Sequence, residues 1–358
     1  MRKTRDVDVV VVGGGVTGVA ALRTLALAGL DAVLVEQFAL GHDRGSSHGA
    51  SRIFRLAYPE PRYVRLAQRA REGWRALEAE AGEELIARTG SLDIGATALD
   101  VAAALAECGA PYEVLDGRTA ATRWPISFDH DEPALFQPDG GMMYADRAIA
   151  ALLDGARAAG ATTLEHAKLT GLRESGDDVT LETTAGEIKA GAAVVAAGAW
   201  ARDLLAPLGV QLATTPTRET ISYFRHDRYE ELPTVIDYAL LPASHKSGDG
   251  RASYSLPAPA VGIKAGFHRG GSTTDPDFPG EVDEALVAWT AEWIARRYPH
   301  ADPQPLASET CIYTNTPDQD FVVERHGRIV VASACSGHGF KFAPALAETI
   351  AALVAEVS

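Results

Sequence analysis

The chain opens with a β-branched apolar run, Val9–Val12, then the glycine turn Gly13-Gly14-Gly15-Val16-Thr17-Gly18, then an alanine- and leucine-rich stretch, Val19–Ala28, closed by Gly29. Ala32–Val35 is a second apolar run and ends at Glu36. Strand, turn, helix and strand in this order make a βαβ unit, which predicts an α/β fold with a parallel, doubly wound sheet. Helical spacing of apolar residues predicts helices over Tyr63–Ala81, Ala98–Cys108, Arg147–Ala159, residues 281–297, and from Gly337-His338-Gly339 to the C-terminus. Strands are predicted at Leu92–Ile94, Thr162–Leu164, Val179–Leu181, Ala192–Ala197 and Ile329–Ala332, and strands with loops over residues 212–270. Pro125–Tyr144, dense in Pro, Gly and Asp, reads as loop. The alternation predicts a Rossmann-type nucleotide domain in three pieces, residues 1–88, 141–212 and 309–358. Two β-rich pieces, residues 89–140 and 213–308, interleave with it.

Composition narrows the partners. Of 358 residues 46% are hydrophobic and 23% charged, an ordinary globular balance that excludes disorder. Thirty-three basic residues against 48 acidic ones give a net charge of −15, which argues against nucleic acid or an anionic membrane surface as partner. No apolar run approaches the ~18–20 residues of a membrane span, and the start of the chain lacks a signal-peptide pattern. Three cysteines, Cys108, Cys311 and Cys335, are an odd and sparse set. A reducing compartment, the cytoplasm, is therefore expected. There are 27 arginines but only six lysines, so a retained lysine points to a need for its compact ammonium.

The turn at Gly13 satisfies G-x-G-x-x-G. Gly13 makes the tight turn, Gly15 admits a pyrophosphate to the backbone, and Gly18 allows close packing of strand and helix. The phosphate then faces the positive helix N-terminus. Glu36, 18 residues past Gly18, stands where a carboxylate accepts ribose hydroxyls; this disfavours NADP and leaves NAD and FAD open. Three further segments carry chemistry. Ser46–Arg55 holds small and hydroxyl residues with two arginines, Arg52 and Arg55, whose spacing in an extended segment directs them to opposite sides. In Val261–His268, strand alternation places Lys264, Gly266 and His268 on one face, with room for a flat ligand over the glycine. Ser333–Phe342 follows an apolar strand and opens a helix with Lys341 in its first turn, set against the dipole and so expected to meet an anion.

Together with Cys311–Phe321, these segments resemble the monomeric sarcosine oxidase and N-methyltryptophan oxidase group of the D-amino-acid-oxidase-like flavoproteins, almost end to end. The resemblance implies a Rossmann-type FAD-binding domain with an interleaved antiparallel β-rich substrate domain, and FAD attached covalently through the sulfur of Cys311. A thiolate is needed for attachment, and His48 and Arg52 are the basic neighbours the family position implies; Cys108 and Cys335 read as structural. The implied cofactor contacts are Gly13, Gly15, Val16, Thr17, Gly18, Glu36, Ser46, His48, Ser51, Arg52, Gly198, Cys311, Gly337, His338, Gly339, Phe340 and Lys341. Arg55 and Lys341 match the pair that clamps the substrate carboxylate. Arg52 and Lys264 match the pair on the other flavin face, where lysine activates oxygen. Tyr254, His268 and Tyr313 match residues lining the substrate cavity, with His268 able to hold or relay a proton. No metal is implied. The expected reaction oxidises the C–N bond of a small N-methyl or cyclic secondary amino acid to an imine and reduces O2 to H2O2, in a monomer. Its rivals are a flavin amine dehydrogenase that uses an electron carrier, a nicotinamide-dependent imine or opine dehydrogenase, and a non-catalytic FAD-binding redox sensor. Two departures from the group stand out: Ser47 replaces a histidine of some relatives, and Ile236–Ala252, with Tyr238, His245 and Lys246, matches poorly where the group builds much of its substrate pocket.

Overall fold

The computed structural model describes residues 4–240 and 251–357, so His245 and Lys246 lie outside the described residues. Among them the strands form three sheets. The first is centred on Thr4–Val12, which pairs in parallel with Ala32–Val35 on one side and Gly186–Val195 on the other. Thr162–Leu164 and Ile329–Ser333 extend it in parallel at the two ends. Val9–Val11 are fully buried, as a run without alternation must be when both faces of a parallel strand are covered. The helices Val16–Leu27 and Ala343–Ala355 contribute to the main apolar core, with Ala145–Ala158 and Pro61–Ala81 packed beside them. A second core lies under the antiparallel strands Leu169–Ser175 and Asp178–Thr183.

The second sheet has nine strands and is antiparallel except where Thr234–Asp237 runs parallel to Ser91–Ile94. Thr215–Arg225 sits between Gly262–His268 and Ala307–Asn315 and so brings residues distant in sequence side by side. Ala252–Ala258 flanks Gly262–His268, with Tyr254 opposite Gly266. The helix Glu284–Arg297, capped by Asp283, covers this sheet with Trp293 and Ile294 buried. A small third sheet joins Ser51–Phe54, Gly141–Tyr144 and Ile86–Ala87.

Pro125–Tyr144 is not loop throughout: Ala134–Gln137 and Gly141–Tyr144 are strands, joined through Pro138-Asp139-Gly140. Their short apolar runs are buried in two different sheets, and a tight connection between such strands needs the turn residues that made the segment read as loop. The first helix begins at Val16 rather than Val19, because the amides after Gly15 already turn helical. Ala98–Cys108 divides into a 3-10 turn, Ala96–Val101, and a short helix, Ala102–Glu107. None of the described helices is long and apolar enough to cross a membrane.

Candidate active site

A cavity of about 1050 Å³ runs between the first sheet and the nine-stranded sheet. At one end lies the glycine turn. Gly13 has φ +106°, and a Cβ there would stand 2.5 Å from the carbonyl oxygen of Ala196; one on Gly18 would stand 1.9 Å from that of Gly13. Neither position admits a side chain without moving backbone. The helix then opens at Val16, whose amide donates to Ser47 Oγ at 3.1 Å, so Ser47 caps this N-terminus. Glu36 is 5% exposed and accepts from the amides of Gly14 at 2.7 Å and Phe38 at 2.9 Å. Burial would raise its carboxyl, but hydrogen bonds from His42 and these amides outweigh that and hold it below the usual value. A bare backbone cradle, a helix N-terminus and a carboxylate at the second strand are the donor and acceptor set an FAD pyrophosphate and ribose require, and the residues fit the group.

Of the catalytic and cofactor-binding residues expected from the resemblance, Gly18 packs beneath the turn; the remainder, from Gly13 to Lys341, all line this one cavity. Arg52 donates to the carbonyl oxygens of Ser51 at 2.8 Å and Ser46 at 2.9 Å, also contacts the His48 carbonyl, and stacks its guanidinium over Phe340 at 5.6 Å. Arg55 faces other surroundings. Its Nη1 donates to Asp93 Oδ2 at 2.8 Å, its guanidinium lies 4.7 Å from the Tyr58 ring centroid, and it bonds to Tyr238. Lys341 Nζ donates to the His338 carbonyl at 2.8 Å and to Tyr58 Oη at 3.0 Å. It lies in a 3-10 turn, Phe340–Phe342, ahead of the helix proper. No carboxylate among the described residues pairs with Lys341; burial and then Arg55 press its ammonium well below the usual value. Arg55 is paired with Asp93 while Lys341 has no carboxylate partner among the described residues, so a monoanion bound beside both would favour the ammonium that burial opposes.

Beside this pair the cavity wall is aromatic. Tyr254 and Tyr313 are hydrogen-bonded, and the Tyr313 hydroxyl is 3.5 Å from His268 Nδ1. The space over Gly266 is not left for a ligand: a Cβ there would stand 2.8 Å from Tyr254 Oη, because cross-strand pairing lays the tyrosine across it. Burial, with His338 and the nearby cations, pushes His268 down to about 3. Burial thus favours the neutral imidazole, which hydrogen-bonds toward Tyr313.

Lys264 is 3% exposed and has one long bond, Nζ to the Ser51 carbonyl at 3.4 Å; burial and then Arg52 bring its ammonium down to about 7. Cys311 is also buried. Burial lifts its thiol to about 12 against the pull of Arg52 and Lys264, the latter in the place expected of His48. Cys335, read as structural, lines the cavity and accepts from the Thr314 amide at 3.3 Å. Sequence reasoning passed over Tyr58, Asp93 and Glu309. The signal for Asp93 was present: a carboxylate flanked by Leu92 and Ile94 in a buried strand needs a partner.

The chain matches the model of the FAD dependent oxidoreductase family over residues 8–353. It belongs to that family. The flavoenzyme is 32% identical over 365 residues to monomeric sarcosine oxidase from Bacillus sp. (strain B-0618), covering 97% of this chain and 91% of that protein. It is 31% identical over 356 residues to N-methyl-L-tryptophan oxidase from Salmonella heidelberg (strain SL476), covering 96% and 93%. Among solved structures, the open form of NikD, an amino acid oxidase of nikkomycin biosynthesis, superposes with a TM-score of 0.89 at 28% identity, covering 99% of this chain and 95% of that one.

Proposed function

We propose that this FAD-dependent amino-acid oxidase acts on a small secondary α-amino acid of the N-methylglycine or cyclic imino-acid type. The observation that carries the reading is the pair Arg55 and Lys341, two buried basic side chains converging on Tyr58 in a cavity that Tyr254, Tyr313 and His268 also line. Arg55 offers a planar fork and Lys341 a point charge, a set suited to one carboxylate. Tyr254, Tyr313 and His268 then border the substrate's nitrogen and side chain, His268 as a neutral hydrogen-bond partner. Bound FAD supplies the two-electron acceptor for the C–N bond and the route to O2. Over the whole reaction two electrons and two protons leave the substrate, water hydrolyses the imine, and O2 gains both electrons and two protons as H2O2. Gly13–Thr17, Glu36, Ser46, Ser51, Gly198 and Gly337–Phe340 hold the cofactor. Arg52 and Lys264 serve oxygen, and Cys311 carries the covalent bond.

Support for the substrate class comes from the names of the relatives, sarcosine oxidase and N-methyl-L-tryptophan oxidase, and support for a monomer from the name of the former. The three-piece and two-piece division of the chain given above is the domain reading we retain. The binding assignment is tested by titrating the oxidised holoenzyme with a small carboxylate and with the matching amine lacking a carboxyl group, following the visible spectrum. The carboxylate alone should perturb it saturably. Equal binding of the two would overturn the role of Arg55 and Lys341.

A further inference from the structure

Beside Lys264 is a carboxylate that the reading above does not use. Gly49 has φ +96°, and three charged atoms converge on the space its missing side chain leaves. From the point a Cβ would occupy, Lys264 Nζ is 3.5 Å away, Arg52 Nη1 3.6 Å and Glu309 Oε1 3.8 Å. Among the described residues neither cation has an ion-pair partner: Arg52 is engaged by backbone carbonyls, and Lys264 has its single long bond to Ser51. Glu309 is anchored at the same oxygen, Oε1, which accepts from the Tyr223 hydroxyl at 2.6 Å. Tyr223 is the cross-strand neighbour of Lys264, and its ring centroid lies 5.8 Å from Nζ. Glu309 lies opposite Ile221, diagonal to Tyr223, so three adjacent strands hold Lys264, Tyr223 and Glu309 on one face of the sheet.

We propose that Glu309 is a positioning residue for Lys264, the counter-charge that keeps this buried ammonium protonated where oxygen is reduced. The proposal rests on the assignment of Lys264 to the oxygen step. The charged and titratable groups facing Lys264 are Arg52 from Ser51–Phe54, His48 from the preceding loop, Tyr223 from Thr215–Arg225, Cys311 and Glu309 from Ala307–Asn315, and Asp146 from the helix Ala145–Ala158. Burial, and then Arg52, works against the charge on Lys264; Cys311, Glu309 and Asp146 work for it. The Cys311 thiol is held neutral by burial, and Asp146 is exposed, so water screens it. That leaves Glu309, half-buried and anchored, as the effective anion.

The test uses Glu309→Gln holoenzyme, since the amide oxygen still accepts from Tyr223 while the charge is lost. Six lysines make the Lys264 side chain assignable by ε-carbon-13 NMR, using Lys264→Arg to identify its resonance. The Lys264 titration midpoint should fall by about 1 pH unit or more in Glu309→Gln, as expected when an opposite charge within a few ångströms is removed. The alkaline limb of the oxygen half-reaction should move by the same amount, making that step roughly tenfold slower well above the midpoint, with the anaerobic half-reaction within a few-fold of wild type. Glu309→Asp should restore most of the midpoint, and Tyr223→Phe, which frees the carboxylate, should lower it by less. An unmoved Lys264 midpoint in both Glu309→Gln and Tyr223→Phe overturns the proposal. If the midpoint moves but Lys264→Met leaves the oxygen half-reaction unslowed, the underlying assignment of Lys264 fails and the catalytic part of the proposal falls with it.

Discussion

Replacing Arg55 by Met removes the cation beside a carboxylate that no water reaches. Asp93 is fully buried, its Oδ2 accepts from Arg55 at 2.8 Å, and its Oδ1 has no partner. Breaking such a pair from one side costs about 3–5 kcal/mol. The carboxyl limits the loss by taking a proton, which makes the cost depend on pH. In the wild type burial raises the Asp93 carboxyl from 3.8 to about 6 against the pull of Arg55, so folding draws a proton to this site only below about pH 6. Without Arg55 the folded protein keeps Asp93 protonated well above that pH, while the unfolded chain does not. Above pH 6 the stability deficit of Arg55→Met therefore widens by about 1.4 kcal/mol per pH unit, and below it the deficit levels off. Urea unfolding at pH 8 and pH 6 measures this directly. The deficit should be about 3–5 kcal/mol at pH 8 and smaller by roughly 2–3 kcal/mol at pH 6. Arg55→Met/Asp93→Asn should recover most of the stability at pH 8 without recovering carboxylate binding. A deficit below about 1 kcal/mol at pH 8, or one equal at both pH values, refutes the reasoning.

Lys341→Met should weaken a carboxylate inhibitor by roughly 10- to 150-fold, the worth of one buried charge-assisted contact of ~1.5–3 kcal/mol; an unchanged Kd would remove Lys341 from the clamp. Acid-precipitated wild-type protein should stay yellow, and Cys311→Ala should release its flavin on denaturation; a colourless wild-type pellet refutes the covalent bond. Lys264→Met should slow the oxygen half-reaction by ~10²–10³-fold and leave anaerobic reduction within a few-fold. In stopped-flow, the reverse pattern would place Lys264 on the substrate side.

The phosphate-binding unit was legible because each of its parts is local. Val9–Val12, the glycine turn and Glu36 lie within one short span, and the backbone constraints at Gly13 and Gly18 admit little else. Arg55 and Lys341 are far apart in sequence, and their union at Tyr58 depends on helix and sheet packing that periodicity does not encode. Glu309 reaches Lys264 only through the register of three strands. For the Cys311 thiol, neighbouring charge can be read from a motif, but the burial that opposes it belongs to the tertiary structure. Ala134–Gln137 and Gly141–Tyr144 escaped because four-residue strands buried in different sheets show no alternation to read.

The central claim is most directly tested by supplying purified, air-saturated enzyme with N-methylglycine, pipecolate, proline and N-methyltryptophan while recording oxygen uptake and hydrogen peroxide. The account predicts that at least one of these secondary amino acids is consumed with one O2 taken up and one H2O2 formed per C–N bond oxidised, and that the matching amines without a carboxyl group give none. Flavin reduced by an amino acid but stable in air would contradict it and identify a dehydrogenase that needs another electron acceptor.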